Sequence, residues 1–387
     1  MRGLMTKTTD PAEQTTGELI MEDELDTETH DVDEVSPEVV EQAQMKLDLF
    51  AAATDDHSTN ALEIYDGAAR FVHHKKIFDV SDSAFIAIPF TVKKVKYESE
   101  ITAARIKIKE KDPSTGKKRE VERIAFPGEV EQVVEDVLRK MATMQYGYVF
   151  RGRIGCRFTL YALREECKKA GHEYNYTQLQ HALTVLRGAS CKITNTYTGE
   201  IWEENYFSNL VRGGYRFMED GKRENEPWLI TFHSLVNESV LELTYRSMKY
   251  PRLMNIRNQM AKWLYKRLVN TWTYADLNSP YQPTLVRTLV ESGKGLSYRK
   301  DTGRAHNANN LRAFNDMVDS LIKVGVLDRA EEQVDYRRKL DDGTVDRRFD
   351  LYPTEAFVSE QIDSNKKFKE RQSQAAMEKL TNMKKSL

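Results

Sequence analysis

Phe158-Thr159-Leu160-Tyr161-Ala162-Leu163-Arg164-Glu165-Glu166-Cys167-Lys168-Lys169-Ala170-Gly171 opens as a short strand and passes into a helix at Thr159. Leu163, Cys167 and Ala170 recur at spacings of four and three, the mark of one helical face. Gly171 stops that helix, because glycine tolerates the left-handed conformation of a helix end. Thr177-Gln178-Leu179-Gln180 then has the form of a capping box, which starts a second helix. Leu179, Leu183 and Leu186 make its buried stripe, and Gly188 ends it. Two strand-like runs, Cys191–Thr194 and Glu200–Trp202, follow around Tyr197-Thr198-Gly199, and the stretch closes at Val211. Helix, turn, helix and hairpin in this order make either a winged helix, with its second helix facing DNA, or a plain α+β core.

A second copy favours the first alternative. Asn255 to Tyr274 reads as a long amphipathic helix with Met260, Leu264, Leu268 and Trp272 in register. Leu285–Val290 is a short helix. Ala308 to Lys323 is a longer one, with Leu311, Phe314, Val318, Leu321 and Ile322 on its inner face and Gly325 closing it. Val326–Glu332 and Val345–Tyr352 read as strands around the hairpin signal Asp341-Asp342-Gly343. The expected fold class is therefore α+β, with two tandem winged-helix domains behind a disordered acidic N-terminal tail. Residues 1–60 form the tail and residues 61–250 the first winged helix with an extra β-hairpin. Residues 251–358 form the second, and 359–387 a charged C-terminal helix or tail.

The 387 residues suffice for two to three domains. Net charge is −2, unevenly spread: residues 1–44 carry thirteen acids against Arg2 and Lys7, which leaves +9 on the remainder. A basic body behind an acidic, aromatic-poor tail suits a polyanion binder. No apolar run approaches the ~20 residues of a membrane span. The acidic N-terminus is unlike a signal or transit peptide. Cys156, Cys167 and Cys191 are odd in number and lack metal spacing, as suits a reducing cytoplasm.

Between these landmarks, Phe85–Val95 and Ile101–Ile108 read as strands. Asp112–Arg119 reads as a basic hairpin loop, Val121–Phe126 as the return, and Glu129–Met144 as the helix leading the first domain. A short helix is expected to start near Ser36-Pro37 and run to Gln44. Tyr215–Met218 and Trp228–Phe232 look like closing strands, and Pro251 marks the domain boundary. Glu291-Ser292-Gly293-Lys294-Gly295 is not a phosphate loop, because Thr288 stands where the first glycine is required. His73-His74 lacks the His-x-His spacing of a rolling-circle nuclease. No tyrosine sits in a nicking motif, so the chain is expected to be no enzyme and to need neither cofactor nor metal.

Lys46-Leu47-Asp48-Leu49-Phe50 places apolar side chains on a polar linker. It resembles the Gln-Leu-(Ser/Asp)-Leu-Phe peptide that binds the bacterial sliding clamp, with Lys46 in place of the glutamine. Together with Lys75-Lys76-Ile77, Phe158–Leu163, Tyr176–Leu179 and Asn258–Tyr265, in that order, it makes the chain similar to the TrfA-type plasmid replication initiators. The resemblance spans roughly residues 45–330 as a pattern of elements. It implies two winged helices that bind directly repeated sites (iterons) in duplex origin DNA and open an adjacent AT-rich segment. It also implies contact with single-stranded origin DNA, recruitment of the replicative helicase and sliding clamp, and a monomer–dimer equilibrium, all in the bacterial cytoplasm. The alternative is a tandem winged-helix transcriptional repressor, which has no use for a clamp ligand.

DNA reading is expected mainly from the second winged helix. Arg304, His306, Asn307, Asn309, Asn310 and Arg312 enter its recognition helix, and Asn and Arg pair with adenine and guanine edges. Asn307 has the competing role of helix cap. Arg299, Lys300, Arg337, Arg338, Lys339, Arg347 and Arg348 flank it as phosphate contacts. In the first winged helix Gln178, His181 and Arg187 point outward, toward a second groove segment unless that domain serves dimerisation.

Overall fold

A computed structural model describes residues 37–52, 57–72, 77–78, 85–111, 116–213, 215–217, 223–225, 227–293, 304–341 and 343–385, all within one compact unit. The acidic segment 1–36, His73–Lys76 and the stretch 294–303 with Arg299 and Lys300 lie outside the described residues.

The chain begins with α1 (Pro37–Ala52), β1 (Ser58–Ala61) and α2 (Glu63–Gly67). The strands β2 (Ile77–Phe78), β3 (Phe85–Val92), β4 (Val95–Thr102), β5 (Ala104–Lys111) and β6 (Lys118–Ala125) follow. Next come α3 (Glu129–Ala142), β7 (Gly147–Phe150), β8 (Arg153–Phe158), α4 (Leu160–Lys169), α5 (Tyr176–Gly188), β9 (Ser190–Asn195) and β10 (Ile201–Asn205). β11 (Phe207–Val211), β12 (Tyr215–Phe217), β13 (Arg223–Asn225), β14 (Trp228–Phe232), α6 (Ser234–Leu241), β15 (Arg246–Lys249) and α7 (Tyr250–Asn255) lead into the second half. There α8 (Gln259–Thr271), α9 (Leu285–Glu291), α10 (Arg304–Lys323), β16 (Leu327–Lys339), β17 (Val345–Pro353) and α11 (Glu355–Lys385) complete the chain.

Helix, helix and hairpin occur twice, as α4–α5–β9–β10 and α9–α10–β16–β17. In the first set Thr159 caps α4, its hydroxyl accepting from the Ala162 amide at 3.1 Å, and Gly171 takes φ +79° just past the helix end. The cap of α5 is Asn175, not Thr177. Asn175 and Gln178 exchange side-chain to backbone bonds of 2.8 and 2.9 Å, because Asn175 sits three residues before a glutamine just as Thr177 does, and at the actual turn. Leu179, Leu183 and Leu186 are buried as the periodicity requires. The β9–β10 hairpin is not free: β9 pairs with β4, giving a sheet of order β10-β9-β4-β3.

The single strand expected at Phe85–Val95 is instead β3, a turn and the start of β4, whereas the strand at Ile101–Ile108 and its return at Val121–Phe126 are met by the paired β5 and β6. Lys93 and Lys94 both take positive φ and turn the chain within the first run, without the Asn-Gly signal such a turn usually carries. The long helix expected over Asn255–Tyr274 is found as α8, shorter at both ends: Asn258 caps it at 3.0 Å from the Ala261 amide, and Asn255 ends the separate α7, which has Pro251 in its first turn. Ile322, placed on the inner face of its helix by spacing, is exposed.

Within the tail expected over residues 1–60, residues 37–52 form α1 instead: Ala43, Leu47 and Phe50 recur at four and three residues and are buried. Leu47 lies against Gly147, and Phe50 meets Tyr245 edge-on at 4.8 Å. The C-terminal segment, expected as a charged helix or tail, is the helix α11, and its first half packs on the body. Glu360 accepts from the Lys249 amide and Tyr265 hydroxyl and pairs with Arg252, while Arg371 donates to the Tyr245 carbonyl at 2.7 Å. One continuous cluster of buried apolar side chains runs from Leu47 to Phe357.

Candidate nucleic-acid interface

α10 is set by a stripe of Asn310, Phe314, Met317 and Leu321, all buried, with Phe314 stacked on Phe349 of β17 at 4.3 Å. The opposite face carries Asn309 and Arg312, both exposed. Asn310 was expected to read bases, but it shares the buried stripe at a spacing of four from Phe314, so its amide is turned inward. Asp316 and Asp319 are exposed further along the helix. Their charge confines favourable contact with a polyanion to the N-terminal half of α10. The helix backbone includes Arg304 and His306, whose side chains lie outside the described residues.

Asn307 neither caps the helix nor faces solvent freely. Its Oδ1 accepts from the Val345 amide at 2.9 Å and its Nδ2 donates to the Gly343 carbonyl at 3.3 Å, latching α10 to the tip of the β16–β17 hairpin. A second latch holds α9. Thr284 makes no side-chain cap there, and the buried Asp346 of β17 supplies one by accepting from the Val286 amide at 3.0 Å. The segment from Tyr281 to Thr284 runs along β17, with Tyr281 and Leu351 exchanging backbone bonds of 3.0 and 2.9 Å. Hydrogen bonds thus tie both helices to the hairpin.

β16 runs further than the expected Val326–Glu332, to Lys339, so Arg337, Arg338 and Lys339 stand on a strand of the hairpin. Their charges are largely engaged within the hairpin. Glu332 accepts from Arg337 at 2.6 Å and from Arg347 at 2.8 Å, and the Arg337 hydrogen bond holds its carboxyl below the usual range. Arg338 lies 3.4 Å from Asp346, and the Arg348 guanidinium sits 3.9 Å over the Tyr336 ring. Lys339 is exposed. Any phosphate that binds Arg337, Arg338 or Arg347 therefore replaces an acid already there, which lowers the net gain.

Around α5 the picture differs from the expected one. Gln178 has its Oε1 committed to the capping box, and His181 is half-buried. Arg187 is half-buried in a groove with Phe150, Arg151, Arg153 and Glu204, where Glu204 accepts from Arg153 at 2.7 Å. Arg151 and Arg153 were not singled out by sequence. The signal lay in Phe150-Arg151-Gly152-Arg153, whose two central residues both take positive φ as a two-residue hairpin turn demands. The clamp-like peptide is brought to neither site: it lies within α1, with Leu47 and Phe50 buried on its inner face, Lys46 and Leu49 half-buried and Asp48 exposed.

Among the described residues no group of three His, Cys, Asp or Glu is placed to hold a metal ion, and no helix is long and apolar enough to cross a membrane. No family model matches the sequence, and no curated protein matches it. Among solved structures the chain is similar to two crystal structures of domains 2 and 3 of RctB. They are 6% and 8% identical, with TM-scores of 0.40 and 0.41, and cover 75% and 78% of this chain and 96% and 99% of theirs. It is also similar to the Pi initiator protein in complex with iteron DNA, at 12% identity and a TM-score of 0.37, covering 58% of this chain and 93% of that one. Each is a distant likeness.

Proposed function

We propose that this chain is a replication initiator that binds repeated sites in duplex origin DNA through two winged-helix units, residues 61–250 and 251–358. The observation that carries the reading is the twofold order of helix, helix and hairpin, with α10 latched to its hairpin and presenting Asn309 and Arg312 to solvent. In this reading α10 enters the major groove, Arg312 pairs with a guanine edge and Asn309 with an adenine edge. Lys339 and the hairpin arginines grip phosphates and set the register without specifying sequence. The role is binding rather than catalysis, exercised in the bacterial cytoplasm. Opening of adjacent DNA, contact with the single strand so formed, self-association and recruitment of the replicative helicase and sliding clamp belong to the same proposal. Clamp capture through Lys46–Phe50 requires α1 to leave the body, since Leu47 and Phe50 are buried.

Footprinting on the DNA that flanks the gene tests the reading. Regularly spaced protection over direct repeats supports an initiator. Protection of a single operator over the gene's own promoter overturns it in favour of a transcriptional repressor.

A further inference from the structure

Next to α5, β5 and β6 form a ribbon whose two ends differ. At the root Ala104, Ile106, Ile124 and Ala125 are buried, and Ala104 lies against Gly188 so closely that a Cβ on that glycine would come within 3.0 Å. β2 pairs only with Ala125 and Ile124. Beyond Ile108 and Val121 the described side chains are exposed apart from Glu110, which is half-buried and reaches back along one face to Arg123 at 2.7 Å. Strand alternation puts Arg105, Lys107, Lys109 and Lys111 on the other face, all exposed. The register sets Lys107 opposite Glu122 and Lys109 opposite Glu120, which are favourable pairs, but it sets Lys111 opposite Lys118. Like charges directly opposed weaken a ladder, and a two-stranded ribbon without a covering layer is marginal to begin with. Cation is thus concentrated at the outer end, where folding alone disfavours it. A two-stranded ribbon fits the major groove, and a row of lysines matches the charge of a phosphate backbone.

We propose that the β5–β6 ribbon is a second DNA-binding arm, its exposed lysines contacting the phosphate backbone of duplex DNA. The arm rests on the duplex-binding reading above and adds to it a surface that grips without sequence preference, because lysine–phosphate contacts carry no base information.

The test uses the full chain, a fluorescently labelled duplex of mixed sequence, and affinity measured across a salt series. Lys118→Glu turns the opposed lysines into an opposite-charge pair. The melting temperature stays level or rises, while the log–log salt slope shrinks by about one to two units. Lys107→Gln/Lys109→Gln/Lys111→Gln shrinks the slope by up to about three units. Unchanged affinity and slope in both variants, with the parent chain binding normally, overturns the arm and leaves the α10 reading standing. A parent chain that does not bind the duplex overturns both.

Discussion

Asn307 shows how one side chain changes meaning between sequence and structure. Its position near the start of α10 suggests base reading, yet both ends of its amide are spent on the hairpin tip. Asn307→Ala leaves the Val345 amide without its partner and should cost about 1–3 kcal/mol of stability, read by urea unfolding. A variant as stable as the parent that loses only sequence discrimination would return Asn307 to the groove. Arg312 is the contrasting case, exposed on the opposite side of the same helix. On the proposed reading of α10, Arg312→Ala should cost about 1–3 kcal/mol on the cognate repeat and little on random duplex. Competition binding against both probes separates base reading from phosphate contact, since a phosphate contact is lost equally on each.

Among the elements, α1 and the β16–β17 hairpin most alter what the residues can do. Leu47 and Phe50 anchor α1 against Gly147 and Tyr245. Leu47→Ala should therefore destabilise by about 2–5 kcal/mol and Phe50→Ala by about 3–5 kcal/mol. Calorimetry checks this, and melting temperatures that do not move would mean that α1 is not held in the folded body. In the hairpin, Arg337 and Arg338 are each paired with an acid while Lys339 is exposed. Neutralising all three should shrink the salt slope by only about one to two units, fewer than three independent contacts would give. A salt titration showing a full loss of about three would mean that both ion pairs break on binding.

Across the whole molecule, α2, α3 and α8 meet in a buried ionic cluster that ties the N-terminal half to the C-terminal half. Asp66 receives Arg139 at 2.8 Å, Lys266 at 3.3 Å and Arg70 at 3.4 Å. Glu135 receives Arg70 at 3.0 Å and the Tyr65 hydroxyl at 2.6 Å, and Lys266 also reaches Asp136 at 2.5 Å. Burial pushes the Asp66 carboxyl up, but Arg139 and Lys266 beside it outweigh that and hold it well below the usual range; Glu135 is lowered in the same way by Arg70. Both contribute stability that is present above the unfolded carboxylate value of about 4 and lost as pH falls below it. His172 adds an earlier step. Burial, with Lys262 and Arg257 nearby, lowers it from 6.5 to about 4, so the unfolded chain takes up its proton first and stability declines as pH falls through that window. Unfolding midpoints measured across the acid range should fall from about pH 6.5 downward, and His172→Gln should flatten the upper part of the curve. Asp66→Asn should cost about 3–5 kcal/mol at neutral pH, because it takes the carboxylate from buried Arg139 and leaves Arg70 and Lys266 with one acid each. An undiminished midpoint in that variant would show that the cluster does not hold the two halves together.

What the sequence by itself determined is local. The spacing of Leu179, Leu183 and Leu186, the Thr159 cap and Gly171 at the helix end are decided within a few residues, so α4, α5, the long helices and both hairpins were legible. The exposure of Asn309 and Arg312 was legible for the same reason. Even the stripe that buries Asn310 and the one that docks α1 were written in spacings of three and four, but a polar residue in the first and a peptide resemblance in the second pointed elsewhere. Tertiary structure alone decided the rest. The Lys111–Lys118 register follows from where two strands meet, the Asn307 latch from a hairpin tip 36 and 38 residues away, and the ionic cluster from partners up to 200 residues apart. Periodicity tells which face of an element is apolar, but not which surface will cover it, because that is settled only when distant parts of the chain compete for the same contact.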